Sequence, residues 1–366
     1  MGTVGVSLTD APACGFDEIN ITVSRVRIHQ SSTASDTAAG WADINLNPAR
    51  KINLLDLNNG VLDSLGETAV AAGHYTQVRL VLVPNSGGSV ANSVVLAGTT
   101  PEIPLDTPSA VQSGIKLIHP FDVQGNQRTD LLLDFDACKS IVARGNGTFA
   151  LKPVIRIIPI SLNGIRGVID PALLTPNANF VVSAQMGGEV VRSTVPNPQT
   201  GEFFLARLDP GTYDFVVAAD GHATVVIKAV PVASPTSIAV ASTAAQPITL
   251  PTSTTHTVTG TVTLSPASTI ETVAFATAKQ LVDTGVAVTV KTEAADLTNG
   301  TYSLTLPAQA PLLGSFGGGA LPVILTPIPL AAGQYAIEAS ADGYVTQGVI
   351  QDLSSADAGL DFVLTQ

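Results

Sequence analysis

The chain has 366 residues, long enough for two or three domains with cores of their own. It carries 17 Lys and Arg against 29 Asp and Glu, a net charge of -12, and so lacks the basic footprint of a nucleic-acid binder. Only 13% of residues are charged and mean hydropathy is +0.35, yet no run approaches the ~18 apolar residues of a membrane helix. The apolar residues are spread among Thr, Ser, Gly and Pro. That distribution predicts many short strands with Ser/Thr-rich surfaces, suited to an extracellular or assembled protein. Met1 to Val6 reads as a strand rather than as a secretory leader.

In the first part of the chain Ile19, Ile21 and Val23 alternate, and Val26 and Ile28 then alternate in the opposite phase. A slip of this kind at Ser24-Arg25 predicts a β-bulge that keeps the apolar side chains facing inward. Trp41, the only tryptophan, follows the polar stretch Ser31 to Gly40 and is expected to anchor that loop. Leu54, Leu57, Val61, Leu62 and Leu65 fit one helix face, but Asn58-Asn59-Gly60 interrupts it. Gly73 to Val83 is a strand ended by Pro84. Between Asp130 and Val142, Leu131, Leu133 and Phe135 share one strand face, with Asp134 and Asp136 on the other. Lys152 to Ile160 reads as an edge strand, because Pro153 and Pro159 withhold ladder donors.

Cys14 and Cys138 are the only cysteines. An isolated pair far apart in sequence predicts one structural disulfide in an oxidising compartment. The bridge would bring Asp10 and Asp136 into one neighbourhood, and with Asp17 and Asp134 they make a candidate Ca²⁺ site. The competing reading has these carboxylates capping turns or pairing with Lys139, Lys116 or Arg79. No other cofactor is expected.

Seven blocks occur in order: Thr9-Asp10-Ala11-Pro12, Asn53 to Leu57, Ala72-Gly73-His74-Tyr75, Val78-Arg79-Leu80, Pro108-Ser109 with Gln112-Ser113-Gly114, Asp134 to Ser140, and Leu151-Lys152-Pro153-Val154. Through them residues 2–160 resemble the bacterial family known as domain of unknown function 4382. The resemblance implies a β-sandwich-like domain in a secreted, periplasmic or lipid-anchored protein, with no established activity.

Residues 162–250 hold further strands, among them one with Tyr213, Phe215 and Val217 alternating behind the turn Pro210-Gly211. Their order is similar to the carboxypeptidase-regulatory-like β-sandwich, a non-catalytic module. Residues 251–366 repeat the plan. Gly211, Tyr213, Asp220 and Gly221 recur as Gly333, Tyr335, Asp342 and Gly343, while Gly201 and Phe203 recur as Gly300 and Tyr302. The second copy carries an uncharged insertion at 308–330. Its Leu312, Leu313, Phe316, Leu321, Val323, Ile324 and Leu325 need cover, either as an extra hairpin on a sandwich of the chain or as a surface for another subunit or partner.

Catalytic patterns are missing from the sequence. His29, His74, His119, His222 and His256 are scattered, and no phosphate loop or nucleophile elbow fits. The expectation is an all-β chain of three tandem sandwiches (immunoglobulin-like or prealbumin-like) over residues 1–161, 162–250 and 251–366. It is read as a non-catalytic structural or adhesive protein, secreted or in the bacterial cell envelope, with no transmembrane segment. Self-association or another envelope protein supplies the partner. The alternatives are a filament or sheath subunit and a carbohydrate-binding or transport accessory module.

Overall fold

The computed structural model describes residues 1–10, 15–88, 90–107, 110–111, 113–158, 163–175, 179–268, 272–283 and 286–366, apart from the side chains of Asp10, Cys138 and Asp283. The regular structure is all-β, and helices among the described residues are single turns. Two compact units form, one from Met1–Ile141 with Thr148–Ile160, the other from Val142–Gly147 with Ser161–Gln366.

The first unit contains β1 (Gly2–Asp10), β2 (Phe16–His29), β3 (Ala42–Asn53), β4 (Asp63–Val70), β5 (Gly73–Leu82), β6 (Ser93–Leu96), β7 (Ile103–Asp106), β8 (Ile115–Val123), β9 (Arg128–Phe135), β11 (Thr148–Leu151) and β12 (Ile155–Ile158), while β10 (Ile141–Arg144) has only Ile141 in it. One sheet runs β12-β9-β1-β4; the other includes β11-β7-β6-β2-β5-β8, with β3 also on β2. The bulge falls where the phase slip places it, between Val23 and Arg25. Ile19, Ile21, Val23, Val26 and Ile28 are all fully buried, because the extra residue Ser24 restores the inward phase. The Ser24 hydroxyl donates to the Val81 carbonyl at 3.0 Å. Leu54–Leu57 forms one 3₁₀ turn, and Leu65 belongs to β4 instead. Asn59 and Gly60, both at positive φ, end any continuation of a helix there. β12 lies on a sheet edge, as its flanking prolines require.

The second unit begins with β13 (Gly164–Val168), β14 (Phe180–Met186), β15 (Glu189–Thr194), β16 (Glu202–Ala206), β17 (Gly211–Ala219), β18 (Val225–Val232) and β19 (Ile238–Val240). It continues with β20 (Thr255–Ser265), β21 (Ala274–Asp283), β22 (Val286–Ala294), β23 (Thr301–Pro307), β24 (Leu312–Ser315), β25 (Thr326–Pro327), β26 (Gln334–Ala341), β27 (Gln347–Asp352), β28 (Ala358–Gly359) and β29 (Phe362–Thr365). Two sandwiches with one plan result. The first packs β16-β13-β19 against β15-β14-β17-β18; the second packs β23-β20-β28, with β29 also on β20, against β22-β21-β26-β27.

The copies agree residue by residue. Gly167 lies opposite Phe203 and Gly260 opposite Tyr302. The Asn197 side-chain oxygen accepts from the amides of Gln199 and Thr200 at 2.9 and 3.0 Å; that of Asp296 accepts from Thr298 and Asn299 at 2.8 and 3.2 Å. Each such turn closes on a left-handed glycine, Gly201 at φ +71° or Gly300 at φ +72°. Tyr213 and Tyr335 are buried at equivalent points, and their hydroxyls donate to backbone carbonyls, Asp209 at 2.7 Å and Pro307 at 2.7 Å.

One core position breaks the pattern. Gln280, on β21, is fully buried, and neither amide atom finds a hydrogen-bond partner among the described residues. A buried unpaired amide loses its hydration without compensation. Gln280→Met, which conserves volume, is therefore expected to stabilise the chain by about 1 kcal/mol in urea unfolding. A loss of stability would show that the amide is engaged.

Candidate functional site

β1 and β9 are parallel neighbours, with Thr9 beside Asp134 and Asp10 beside Phe135. The two chain segments that lead to Cys14 and Cys138 therefore leave one sheet side by side. Cys14 itself lies outside the described residues, as does the Cys138 side chain; the Cys138 backbone sits in the short helix Ala137–Ser140.

Of the four candidate calcium ligands, the side chains of Asp17, Asp134 and Asp136 are described. Asp136 caps that helix: one carboxylate oxygen accepts from the Lys139 amide at 3.1 Å, and the other lies 3.2 Å from Lys139 Nζ. Asp17 is exposed and accepts from the Gly98 amide at 2.9 Å. Asp134 is buried and faces Arg156 across the β9–β12 ladder. The Asp10 side chain is outside the described residues. Among those described, no three His, Cys, Asp or Glu side chains converge as a metal-holding group. Leu132, on the face of β9 that the alternation assigns to Asp134, is also fully buried, so β9 is covered on both sides.

Trp41 anchors its loop as expected, with Nε1 donating to the Ser35 carbonyl at 2.9 Å. Its neighbours are not legible in the sequence. The guanidinium carbons of Arg27 and Arg79 lie 4.6 and 4.9 Å from the Trp41 ring centre, and the His29 ring lies 4.9 Å away. Arg79 is buried, 5% exposed, and donates to the carbonyls of Ala34 and Ser113 at 2.6 and 2.9 Å. These groups pin the 31–40 loop to the sheet.

The insertion is used inside the chain. β24 adds to β18 in parallel, pairing Val225 with Leu312 through to Lys228 with Ser315, and β25 returns antiparallel outside it. The second sandwich thus extends the sheet of the first. Leu312, Phe316, Val323 and Leu325 pack on the first sandwich's core. Leu313 joins Val216, Val226, Val282 and Val288, a small cluster drawn from both sandwiches. Leu321 is half-buried, and Ile324 is 78% exposed. A cleft of about 530 Å³ runs between the insertion and the 241–251 segment, lined by Ile227, Ser242, Gln246, Ile248, Pro322 and Leu325 among others. The Ser242 hydroxyl is already committed to Val168, accepting from its amide at 2.7 Å and donating to its carbonyl at 2.8 Å. The cleft is an apolar seam with no acid–base pair among its described lining.

Further contacts tie the two sandwiches together. The Gln185 amide donates to the Thr289 carbonyl at 2.7 Å and accepts from the Thr289 amide at 2.8 Å. Lys279 Nζ lies 2.6 Å from Glu189 and 2.8 Å from Glu338. Burial works against the Lys279 charge, but its bonds to both carboxylates leave the ammonium pKa raised.

The second sandwich also has an alkaline limit. Burial, with help from Asp361, pushes the Tyr302 phenol up to about 12, and burial pushes Tyr335 up as well. An unfolded tyrosine ionises near pH 10, so the folded state favours the neutral phenol. That contribution is complete below about pH 10 and is lost as pH rises through about 12. The urea midpoint is expected to fall over this window while phenolate absorbance rises with unfolding. A level midpoint across it would contradict the burial argument.

The sequence match is confined to the first part of the chain. Residues 1–153 match the family described as a domain of unknown function (DUF4382). No curated protein matches the chain. Among solved structures, the TIE protein of Bacillus anthracis is similar at 12% identity and a TM-score of 0.20, over 100% of this chain and 50% of that one. A streptococcal ancillary pilin is similar at 9% identity and 0.19, over 100% and 99%. The major pilin SpaA of Corynebacterium diphtheriae is similar at 10% identity and 0.23, over 100% of both chains. This chain spans half the length of the Bacillus anthracis protein.

Proposed function

We propose that the chain is a non-catalytic structural or adhesive protein of the bacterial envelope or exterior. The observation that carries this reading is the strand addition of β24 to β18. A sandwich that completes its neighbour's sheet shares load with it through backbone hydrogen bonds, in addition to side-chain contact. A binding or spacing protein gains from such coupling, whereas nothing at the seam is arranged to react. The low charge and Ser/Thr-rich strands support an exterior location, and so does the reading of Cys14 and Cys138 as a disulfide. The equivalent turns, glycines and tyrosines support reading both C-terminal sandwiches as carboxypeptidase-regulatory-like modules. A second reading, a subunit that assembles through its sheet edges, is favoured by the uncovered strand β27. The carbohydrate-binding alternative has less support, since the one tryptophan is held by Arg27, Arg79 and Ser35.

Fractionation of the native cell with surface proteolysis is expected to find the chain outside the cytoplasm. The purified protein is expected to turn over nothing in a hydrolase panel. A cytoplasmic chain, or turnover by the pure protein, would overturn the reading.

A further inference from the structure

The repeat makes β27 the counterpart of β18, since each follows the strand that carries the buried tyrosine, β26 or β17. In the first sandwich the outer edge of β18 is covered by β24 and then β25, which carries Pro327. In the second sandwich β27 pairs with β26 on one side, and no described strand lies on the other. Exposure follows: Val349 and Ile350 are 44% and 60% exposed, whereas the preceding Val345, 55% exposed, already donates its amide to the Thr365 carbonyl at 2.7 Å.

Folded proteins blunt open edges with charge, proline or a bulge. Other edge strands here do so: β22 carries Lys291 and Glu293, β8 carries Lys116 and Pro120, and β12 carries Arg156 behind Pro153. From Val345 to Gln351 the chain is Val-Thr-Gln-Gly-Val-Ile-Gln, with neither charge nor proline, and the one charge of β27 is Asp352 at its last residue. The β26–β27 register is continuous from Gln334–Asp352 to Ala339–Gln347, so no bulge turns the edge away.

We infer that β27 is a self-association edge, pairing antiparallel with β27 of a second copy of this chain. The sequence is self-complementary about Val349. Centring the pair there sets Val349 against Val349, Gln347 against Gln351 in both directions, and Gly348 against Ile350. No like charges meet, the glutamines match each other's donors and acceptors, and the glycine makes room for the isoleucine. A two-fold pairing of this kind is isologous and closes as a dimer. The intrachain precedent is the equivalent strand β18, which already accepts an added strand at its edge. Because a lone strand pair buries little area, the dimer is weak and concentration-dependent. The inference deepens the assembling-subunit reading given above and depends on it.

Sedimentation of the full chain over a wide concentration range is the test. The expected result is a monomer–dimer equilibrium that Ile350→Lys weakens by about tenfold or more, with the circular dichroism unchanged. Val349→Cys adds a second readout. Directly opposed residues have Cβ atoms about 4.5–5.5 Å apart, so mild oxidation is expected to give a covalent dimer through that position. A chain monomeric at every concentration would overturn the inference, as would a dimer indifferent to Ile350→Lys that fails to cross-link in the Val349→Cys variant. A surface-located but monomeric chain would overturn it while leaving the structural or adhesive role standing. A dimeric chain found in the cytoplasm would do the reverse.

Discussion

Gly260→Ala is expected to destabilise the C-terminal sandwich by about 3 kcal/mol, the upper part of the usual range for overpacking. A Cβ at this position would stand 1.8 Å from the Leu360 carbonyl oxygen. That oxygen cannot swing aside as a side-chain end would. It accepts from the Tyr302 hydroxyl at 2.6 Å, and the Leu360 amide donates to the Thr259 carbonyl at 2.9 Å. The last stretch of chain runs parallel along β20 and comes closest at Gly260, which has no side chain to obstruct it, and Tyr302, opposite Gly260 in the ladder, clamps it there. Moving Leu360 would break that clamp and disturb the β28 and β29 pairings on either side of it. Gly359→Ala is the control. A Cβ there meets nothing within 4 Å, so its cost is expected to stay within about 0.5 kcal/mol. Equal urea midpoints for the two variants would contradict the close approach.

The second large effect is covalent. Breaking a Cys14–Cys138 bond, by reduction or by changing both residues to serine, is expected to cost the first unit about 4 kcal/mol on the chain-entropy model. β1 and β9 run parallel with Asp10 beside Phe135, so the bond needs only the four residues after Asp10 and the three after Phe135 to meet. Mass spectrometry of unreduced protein is expected to find the two cysteine peptides linked. If both thiols alkylate without reduction, the bridge fails, and the case for an oxidising compartment loses its main support.

The two effects act in separate units, so one does not mask the other in unfolding measurements. The Gly260 and alkaline effects both strain the bond between Tyr302 and Leu360, and they should not be additive.

Residue patterns alone determined several features of this protein. Alternation with one slip located the bulge at Ser24, because a bulge must shift the inward phase within its own strand. The spacing of Gly201, Tyr213, Gly300 and Tyr335 identified two copies of one sandwich, since equivalent turns need the same left-handed glycines and the same buried tyrosine. The uncharged 308–330 stretch required cover. Only the tertiary structure decided what covers it. β24 lies on β18, β1 lies beside β9, Trp41 meets two arginines, and no described strand pairs with the outer edge of β27. The first two are pairings between strands far apart in the chain. A strand's own residues set which face turns inward, but its partner is chosen by competition among all available edges, and that choice is written in no single stretch.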